Sequence, residues 1–224
     1  MSNAVLIETV TPLSSGGRSL KGAVTIVLAI WFCVVAVLGV SGRFLTPNGT
    51  PPWPIGLGVM APMVLFVLVF WRSPAFRQFI LAIDARFLVA MQAWRFAGLG
   101  FLALYANDVL PGVFALPAGL GDLAIGVTAP WILVSLIRNP AFLSSRWFVL
   151  WNVLGLLDLV DAVGLGISSQ LMLHVGEQIT TRPMAQLPLV FIPTFLVPIF
   201  AMLHVVSLMQ SRRQSMGTAA QLAP

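Results

Sequence analysis

Five ionisable residues lie within otherwise apolar stretches of this 224-residue chain: Arg95, Asp122, Asp158, Asp161 and His204. A charged side chain at the centre of a bilayer costs about 2.5–3.5 kcal/mol on insertion scales, so such residues usually face a bundle interior and form pairs. Carboxylates and an imidazole can take up and release protons, and a guanidinium binds carboxylates through charged hydrogen bonds. The set therefore predicts a buried site that handles protons or ions, and it names no substrate.

Composition places these residues in a membrane protein. Of the chain, 58% is hydrophobic and only 8% is charged, whereas soluble domains carry about 25% charged residues. A helix needs about 20 apolar residues to cross a bilayer, and six stretches qualify: about 23–40, 55–71, 87–106, 118–137, 147–169 and 187–208. We therefore predict an all-α polytopic bundle of six spans within residues 23–209, with tails at 1–22 and 210–224.

The basic residues predict the orientation of these spans. With the N-terminus inside, nine arginines and lysines fall on the inner side and two on the outer side. The inner ones are Arg18, Lys21, Arg72, Arg77, Arg86, Arg138, Arg146, Arg212 and Arg213, and the outer ones are Arg43 and Arg182. This positive-inside bias predicts that both termini are cytoplasmic, in the inner membrane if the source is bacterial. The basic residues at the ends of the spans then contact anionic lipid head groups, and we expect no nucleic-acid partner.

Several polar residues are predicted to lie at a similar depth in the membrane, judged by their positions along the spans. Arg95 lies near the middle of span 3 and Asp158 near the middle of span 5, so we predict a buried ion pair between them. An arginine stays charged inside proteins and must find an acceptor. Gln92 lies one turn from Arg95, and Asn152 lies nearer the inner end of span 5. We include both in the candidate site.

One arginine beside three carboxylates leaves an excess of negative charge. If Asp122, Asp158 and Asp161 were all ionised, two negative charges would stay uncompensated in a low dielectric. Three arrangements would remove the excess: one or two aspartates are protonated, His204 is protonated, or a cation binds. We expect at least one protonated aspartate at neutral pH. The alternative is that Asp122 or Asp161 reaches interfacial water and the remaining pair is only structural.

Spans 4 and 5 share a short phrase that combines an aspartate with small residues, GLGDL at 119–123 and GLLDL at 155–159. Ala118 and Gly126 lie on the same side of span 4 as Asp122, and Ala162 and Gly166 continue the row from Asp158. Such rows let another backbone approach closely. The phrase reflects either an inverted repeat, as in some transporters, or chance in a chain rich in Gly and Leu.

Span 6 contains proline at every fifth position in LPLVFIPTFLVP. Pro193 and Pro198 each remove a helical hydrogen bond, which should free the carbonyl groups of Leu189 and Thr194. Within a membrane these groups need a partner, which the Thr194 hydroxyl, water or a ligand could supply. The prolines therefore predict either a break beside the polar site or simply a bent helix.

Two further segments are not simple spans. Residues 74–83 place apolar side chains on one side of a helix, which predicts an amphipathic helix in the inner interface; the alternative is a loop. Residues 111–117 (PGVFALP) are apolar but lie between two prolines, so they could dip into the outer leaflet before span 4 begins.

Motifs of common catalytic sites are missing from the sequence. There is no P-loop, Gly-x-Ser-x-Gly or His-Glu-x-x-His, and we expect no cofactor and no resident metal. Asp158-Leu-Val-Asp161 resembles the Asp-x-x-Asp of membrane prenyltransferases, but their second aspartate-rich motif is absent. WRFAGLGFL, FALPAGLGDLAIG, WNVLGLLDLVDAVG and LPLVFIPTFLVP resemble an uncharacterised family of bacterial six-helix integral membrane proteins. That resemblance covers most of the chain and implies no activity.

Three functions from different classes fit these observations. The leading hypothesis is proton-coupled transport of a small solute or ion through a site enclosed by spans 3 to 6, with a homodimer completing the pathway. The alternatives are an intramembrane enzyme acting on a lipid or isoprenoid, and a non-catalytic accessory or assembly subunit of a membrane complex. A tightly bound metal would favour the enzyme, water access from both sides would favour transport, and a dry, fully paired cluster would favour the accessory role.

Overall fold

The computed structural model describes residues 15–47, 49–171 and 179–222, and every regular element within these ranges is a helix. In chain order these are α1 (Ser15–Val40), α2 (Trp53–Arg72), α3 (Pro74–Leu81), α4 (Ala85–Gln92), a 3₁₀ segment (Ala93–Gly98), α5 (Leu99–Ala106), α6 (Gly112–Arg138), a 3₁₀ turn (Pro140–Ser144), α7 (Arg146–Leu171), a 3₁₀ turn (Arg182–Ala185), a π segment (Ile192–Leu196) and α8 (Val197–Leu222). Six segments are long and apolar enough to cross a membrane, and they are spans 1 to 6: Ser19–Val40, Trp53–Arg72, Ala85–Ala106, Gly112–Arg138, Arg146–Leu171 and Ile192–Gly217. The all-α, six-span fold is the one that the sequence predicts.

Span 4 begins earlier than the sequence suggested. Pro111 occupies the position before the first helical residue, and α6 then runs without interruption from Gly112 through Pro117. Phe114 and Ala115 are buried in this first part of the helix. Residues 111–117 therefore form the start of the span, because a proline next to a helix start needs no hydrogen bond for its nitrogen.

Span 6 begins later and ends later than the sequence suggested. Residues 187–190 form turns, and regular structure starts with the π segment Ile192–Leu196. At the other end, α8 continues to Leu222, through much of the segment expected to be a tail. Its extension is anchored by Gln210, which is buried and donates hydrogen bonds to the carbonyl oxygens of Leu81 and Ile83.

The amphipathic helix predicted at 74–83 is present as α3. The Ser73 hydroxyl caps its start by accepting a hydrogen bond from the Phe76 N–H. Ile80 is buried against Phe70, while Arg77, at the flank of the apolar face, is exposed. This one-sided packing follows from the 3.6-residue period of the apolar positions.

Spans 3 and 4 are in direct backbone contact, and glycine makes this possible. A Cβ atom on Gly126 would overlap the backbone nitrogen of Phe96, and one on Gly98 would lie 2.8 Å from the carbonyl oxygen of Gly119. Small residues permit this approach between membrane helices. The contact fixes the 3₁₀ segment of span 3, and with it Arg95, against span 4.

Candidate functional site

Arg95 is the centre of a buried polar network that joins four spans. Its residue surface is 2% exposed, and it projects from the 3₁₀ segment of span 3. The Nε–H donates to Asp122 Oδ1 on span 4 over 2.6 Å, and Nη2 donates to Asp158 Oδ2 on span 5. The ion pair with Asp158 is the one predicted from depth. The structure adds Asp122 as a second acidic partner of the same guanidinium.

The remaining nitrogen of the guanidinium connects Arg95 to span 6. Nη1 lies 3.1 Å from the Gly155 carbonyl oxygen and 3.1 Å from His204 Nε2. Because a guanidinium only donates, His204 Nε2 must be the acceptor and carries no proton. On the other side of the ring, His204 Nδ1 lies 2.9 Å from Asn152 Oδ1, while Asn152 Nδ2 donates to the Phe148 carbonyl oxygen over 2.9 Å. His204 is thus the neutral tautomer with its proton on Nδ1.

This assignment removes one of the three ways to balance the charge. A neutral His204 adds no positive charge, so the arrangement with a protonated histidine is wrong for this structure. One guanidinium faces two paired carboxylates, which leaves a formal charge of −1 if Asp122 and Asp158 are both ionised. Either a proton on one carboxylate or a bound cation would restore neutrality.

Two glycines shape the network, and sequence reasoning did not single out the one on span 4. A Cβ atom on Gly155 would overlap His204 Nε2, and one on Gly121 would overlap Asp158 Oδ1. Both belong to the repeated phrases of spans 4 and 5, so the sequence carried the signal. Their lack of a side chain gives the ionisable groups room to meet.

Trp151 is a further missed member of the site. Its ring meets the His204 ring edge-on, with centroids 5.5 Å apart, and its Nε1 donates to Thr128 Oγ1 over 2.9 Å. Packing the indole against the imidazole holds His204 in the orientation that its two hydrogen bonds require. An aromatic residue among many others gives no sequence signal for this role.

Two predicted members lie apart from the network. Gln92 is buried, but its Nε2 donates to the Phe200 carbonyl oxygen, and its Oε1 accepts no hydrogen bond among the described residues. Asp161 is exposed on the surface of span 5, and no ion pair with it is present in residues 15–47, 49–171 and 179–222. The structure therefore brings together Arg95, Asp122, Asp158, Asn152 and His204.

The helix break in span 6 differs from the predicted one. The Leu189 carbonyl is not freed by Pro193, because it accepts a hydrogen bond from the Ile192 N–H over 2.9 Å. The π segment instead closes with a bond from the Val197 N–H to the Ile192 carbonyl. Thr194 is buried and its hydroxyl donates to the Val190 carbonyl over 2.6 Å. Pro198 is also buried.

Two cavities meet at Asp122. The end cavity, about 70 Å³, lies in the half of the bundle away from the arginine-rich loops, and its lining includes Pro52, Gly166, Gln170, Thr181 and Pro193. The side cavity, about 320 Å³, lies between spans 3 and 6, and its lining includes Trp94, Arg95, Phe195 and Phe200. Five residues line both: Phe101, Asp122, Leu159, Ile192 and Val197. Asp122 is the carboxylate that both cavities reach.

A row of buried polar side chains continues from the network along α8. His204, Ser207 and Ser211 are all at most 2% exposed, and their spacing of three and four residues keeps them on one side of the helix. The row leads toward the arginine-rich end of the bundle. This spacing could have been read from the sequence, and it was missed because serine is common in membrane helices.

The fold and this network together define a class: multi-pass helical membrane proteins with a buried arginine–carboxylate site. Residues 52–212, more than half of the chain, match the family described as Domain of unknown function (DUF8737), so the protein belongs to that family. The matched region contains every residue of the network. Comparison with curated proteins and with solved structures finds no match.

Proposed function

We propose that the protein is a proton-linked carrier for a small solute, located in the cytoplasmic membrane of a bacterium. The observation that carries this proposal is the charge imbalance at Arg95. One guanidinium is shared by Asp122 and Asp158, and the histidine beside it is neutral. A site with this formal charge gains stability by taking up one proton or one cation, which is the elementary step of coupled transport.

The position of Asp122 supports the same proposal. Its side chain is 18% exposed, whereas that of Arg95 is fully covered. Asp122 also lines both cavities. A proton or a solute entering either cavity would therefore meet this carboxylate first. A change in the charge of Asp122 would then act on the rest of the network through Arg95.

The other functions find less support. Among the described residues, no group of three or more His, Cys, Asp and Glu side chains is arranged to hold a metal ion, as an enzyme of the prenyltransferase kind would need. A purely structural pair would not need cavities that reach its carboxylate. A homodimer stays part of the proposal, because Asp161 lies exposed on span 5, where a second copy would cover it.

Infrared spectroscopy tests the proton step directly. In purified protein, difference spectra between pH 5 and pH 9 should contain the C=O band of a protonated carboxyl group. The band should disappear in Asp122→Asn or in Asp158→Asn. It should persist in the control Asp108→Asn, which changes an exposed aspartate in the turn between α5 and α6. A native protein without such a band would contradict the proton-binding site.

Electrical recording tests whether this proton binding is linked to the membrane. Reconstituted on a supported membrane, the native protein should give a transient current after a pH jump, because protons enter a site within the bilayer. Asp122→Asn should abolish the current, and Asp108→Asn should leave it unchanged. Equal currents in both variants would overturn the proposed function.

A further inference from the structure

We infer that the side cavity binds lipophilic amines, organic ammonium ions with an apolar body, that enter from the bilayer between spans 3 and 6. The inference rests on the proposed function and specifies the substrate class of its carrier. The cavity of about 320 Å³ falls within the size range of small-molecule sites. Its lining is almost entirely aromatic and aliphatic, including Met91, Trp94, Phe195 and Phe200.

The edge of the side cavity lies on the lipid-facing surface of the bundle. Trp94 is 68% exposed and Leu196 is 37% exposed, and both line the cavity. Trp94 stands beside Arg95, near the middle of span 3, so this edge lies at the depth of the hydrocarbon core. A molecule dissolved in the bilayer would reach the cavity without passing through water.

The polar group that such a molecule would meet is a hydrogen-bond acceptor. Asp122 accepts from Arg95 through Oδ1, and its Oδ2 receives no hydrogen bond within the described part of the chain. The Arg95 side chain is fully covered, and four of its five N–H groups donate to protein atoms. An anionic head group would therefore face a carboxylate and find no exposed donor, whereas an ammonium group would pair with Oδ2.

The charge and the aromatic lining both favour a cation over a neutral head group. The ionised site has a formal charge of −1, which one ammonium would neutralise. Trp94, Phe101 and Phe195 line the same space, and aromatic faces attract cations in dry surroundings. A proton and an ammonium ion would occupy the same carboxylate in turn, so binding of one ammonium releases one proton.

Three probes with one body and different heads test the inference. We would measure binding of adamantane carrying an ammonium, a hydroxyl or a carboxylate group to the protein in lipid nanodiscs, with empty nanodiscs as the background. The ammonium probe should bind at least about tenfold more tightly than the alcohol, a difference worth about 1.4 kcal/mol. The carboxylate should not bind above background, and ammonium binding should weaken as the pH falls.

Variants locate the site. Leu196→Trp fills the edge of the cavity and should weaken ammonium binding about tenfold or more, as large interface changes do. Leu65→Trp makes the same change of volume at an exposed position outside the cavity lining and should leave binding unchanged. Asp122→Asn should abolish the preference for ammonium over alcohol, with monodisperse elution as the folding check.

The outcomes separate the inference from the function on which it rests. Equal binding of ammonium and alcohol, or equal binding to native protein and Leu196→Trp, would overturn the amine site. If the pH-jump current persists in a protein that binds no ammonium probe, the carrier proposal stands and this substrate class is wrong. If the ammonium binds without releasing a proton and no current appears, the site stands and the proton-linked carrier is wrong.

Discussion

The two halves of the bundle on either side of Arg95 are built differently. Toward the arginine-rich end the interior is filled: Phe148 and Asn152 are fully covered, and Leu88 is 1% exposed. Away from that end, the end cavity runs from the loop residue Thr181 to Asp122. In this conformation the site is reached from one end and from the side, whereas packed side chains separate it from the pocket of about 460 Å³ that opens around Gln210 at the arginine-rich end.

The largest expected effect comes from removing the group at the boundary between the halves. Arg95→Gln strands two carboxylates, and breaking a buried pair costs about 3–5 kcal/mol. Asp158→Asn should cost less, because Asp122 still pairs with the guanidinium. The double variant should recover part of the loss, measured as thermal unfolding in detergent. Strictly additive losses would show that the two residues are not coupled.

Glycine substitutions along span 5 would sharpen the contrast. Gly155→Ala on the filled side would place a methyl group against His204, and overpacking of this kind costs about 1–3 kcal/mol. Gly164→Ala is its matched control, since no atom outside the local helix lies within 4 Å of the added Cβ. Alanine there should be neutral or should stabilise by up to about 1 kcal/mol. Equal losses at both positions would contradict the packing difference.

Cysteine reactivity would measure access to each half. In a Cys33→Ser background, a cysteine at Ile167 borders the end cavity and should react with a small water-soluble thiol reagent. A cysteine at Ser207, which is 2% exposed on the filled side, should react several-fold more slowly. Equal rates would mean that the filled half opens readily. Reaction only at Ser207 would reverse the comparison.

The smallest effect is expected from single-cysteine variants that report which end of the bundle faces the cytoplasm. A cysteine at Ser144, in the 3₁₀ turn between spans 4 and 5, should be protected from an impermeant reagent added to intact cells. A cysteine at Thr180, in the loop before span 6, should be labelled. The positive-inside bias is the reason for this expectation. Labelling of Ser144 from outside would contradict the N-in, C-in topology.

Sequence reasoning could predict the spans and the level of the polar residues, because helix rise converts position into depth. That is why the contact between Arg95 and Asp158 could be predicted from the sequence. The choice between Asp122 and Asp161 was not, since it depends on how span 5 is rotated and on how closely Gly126 brings span 4 to span 3. The protonation of His204 was also beyond reach, because its tautomer is set by Asn152 and Arg95 together.

Helical breaks were predicted only in part. Proline predicted an irregular start of span 6, but nothing in the sequence AWRFAG predicts the 3₁₀ segment in span 3. Apart from Gly98 at its end, its residues have ordinary helix propensities, and contact with α6 decides their geometry. The place where Arg95 sits is therefore a product of tertiary packing.

That 3₁₀ segment sets the rotation of α5 relative to α4 within span 3. It turns about 120° per residue and rises about 2.0 Å, against about 100° and 1.5 Å in an α-helix. Rewinding its six residues as α-helix would turn α5 by about 120° relative to α4 and shorten the span by about 3 Å. A change of winding confined to Ala93–Gly98 would thus swing the guanidinium around the helix axis, away from one carboxylate, while α4 kept its place in the bundle.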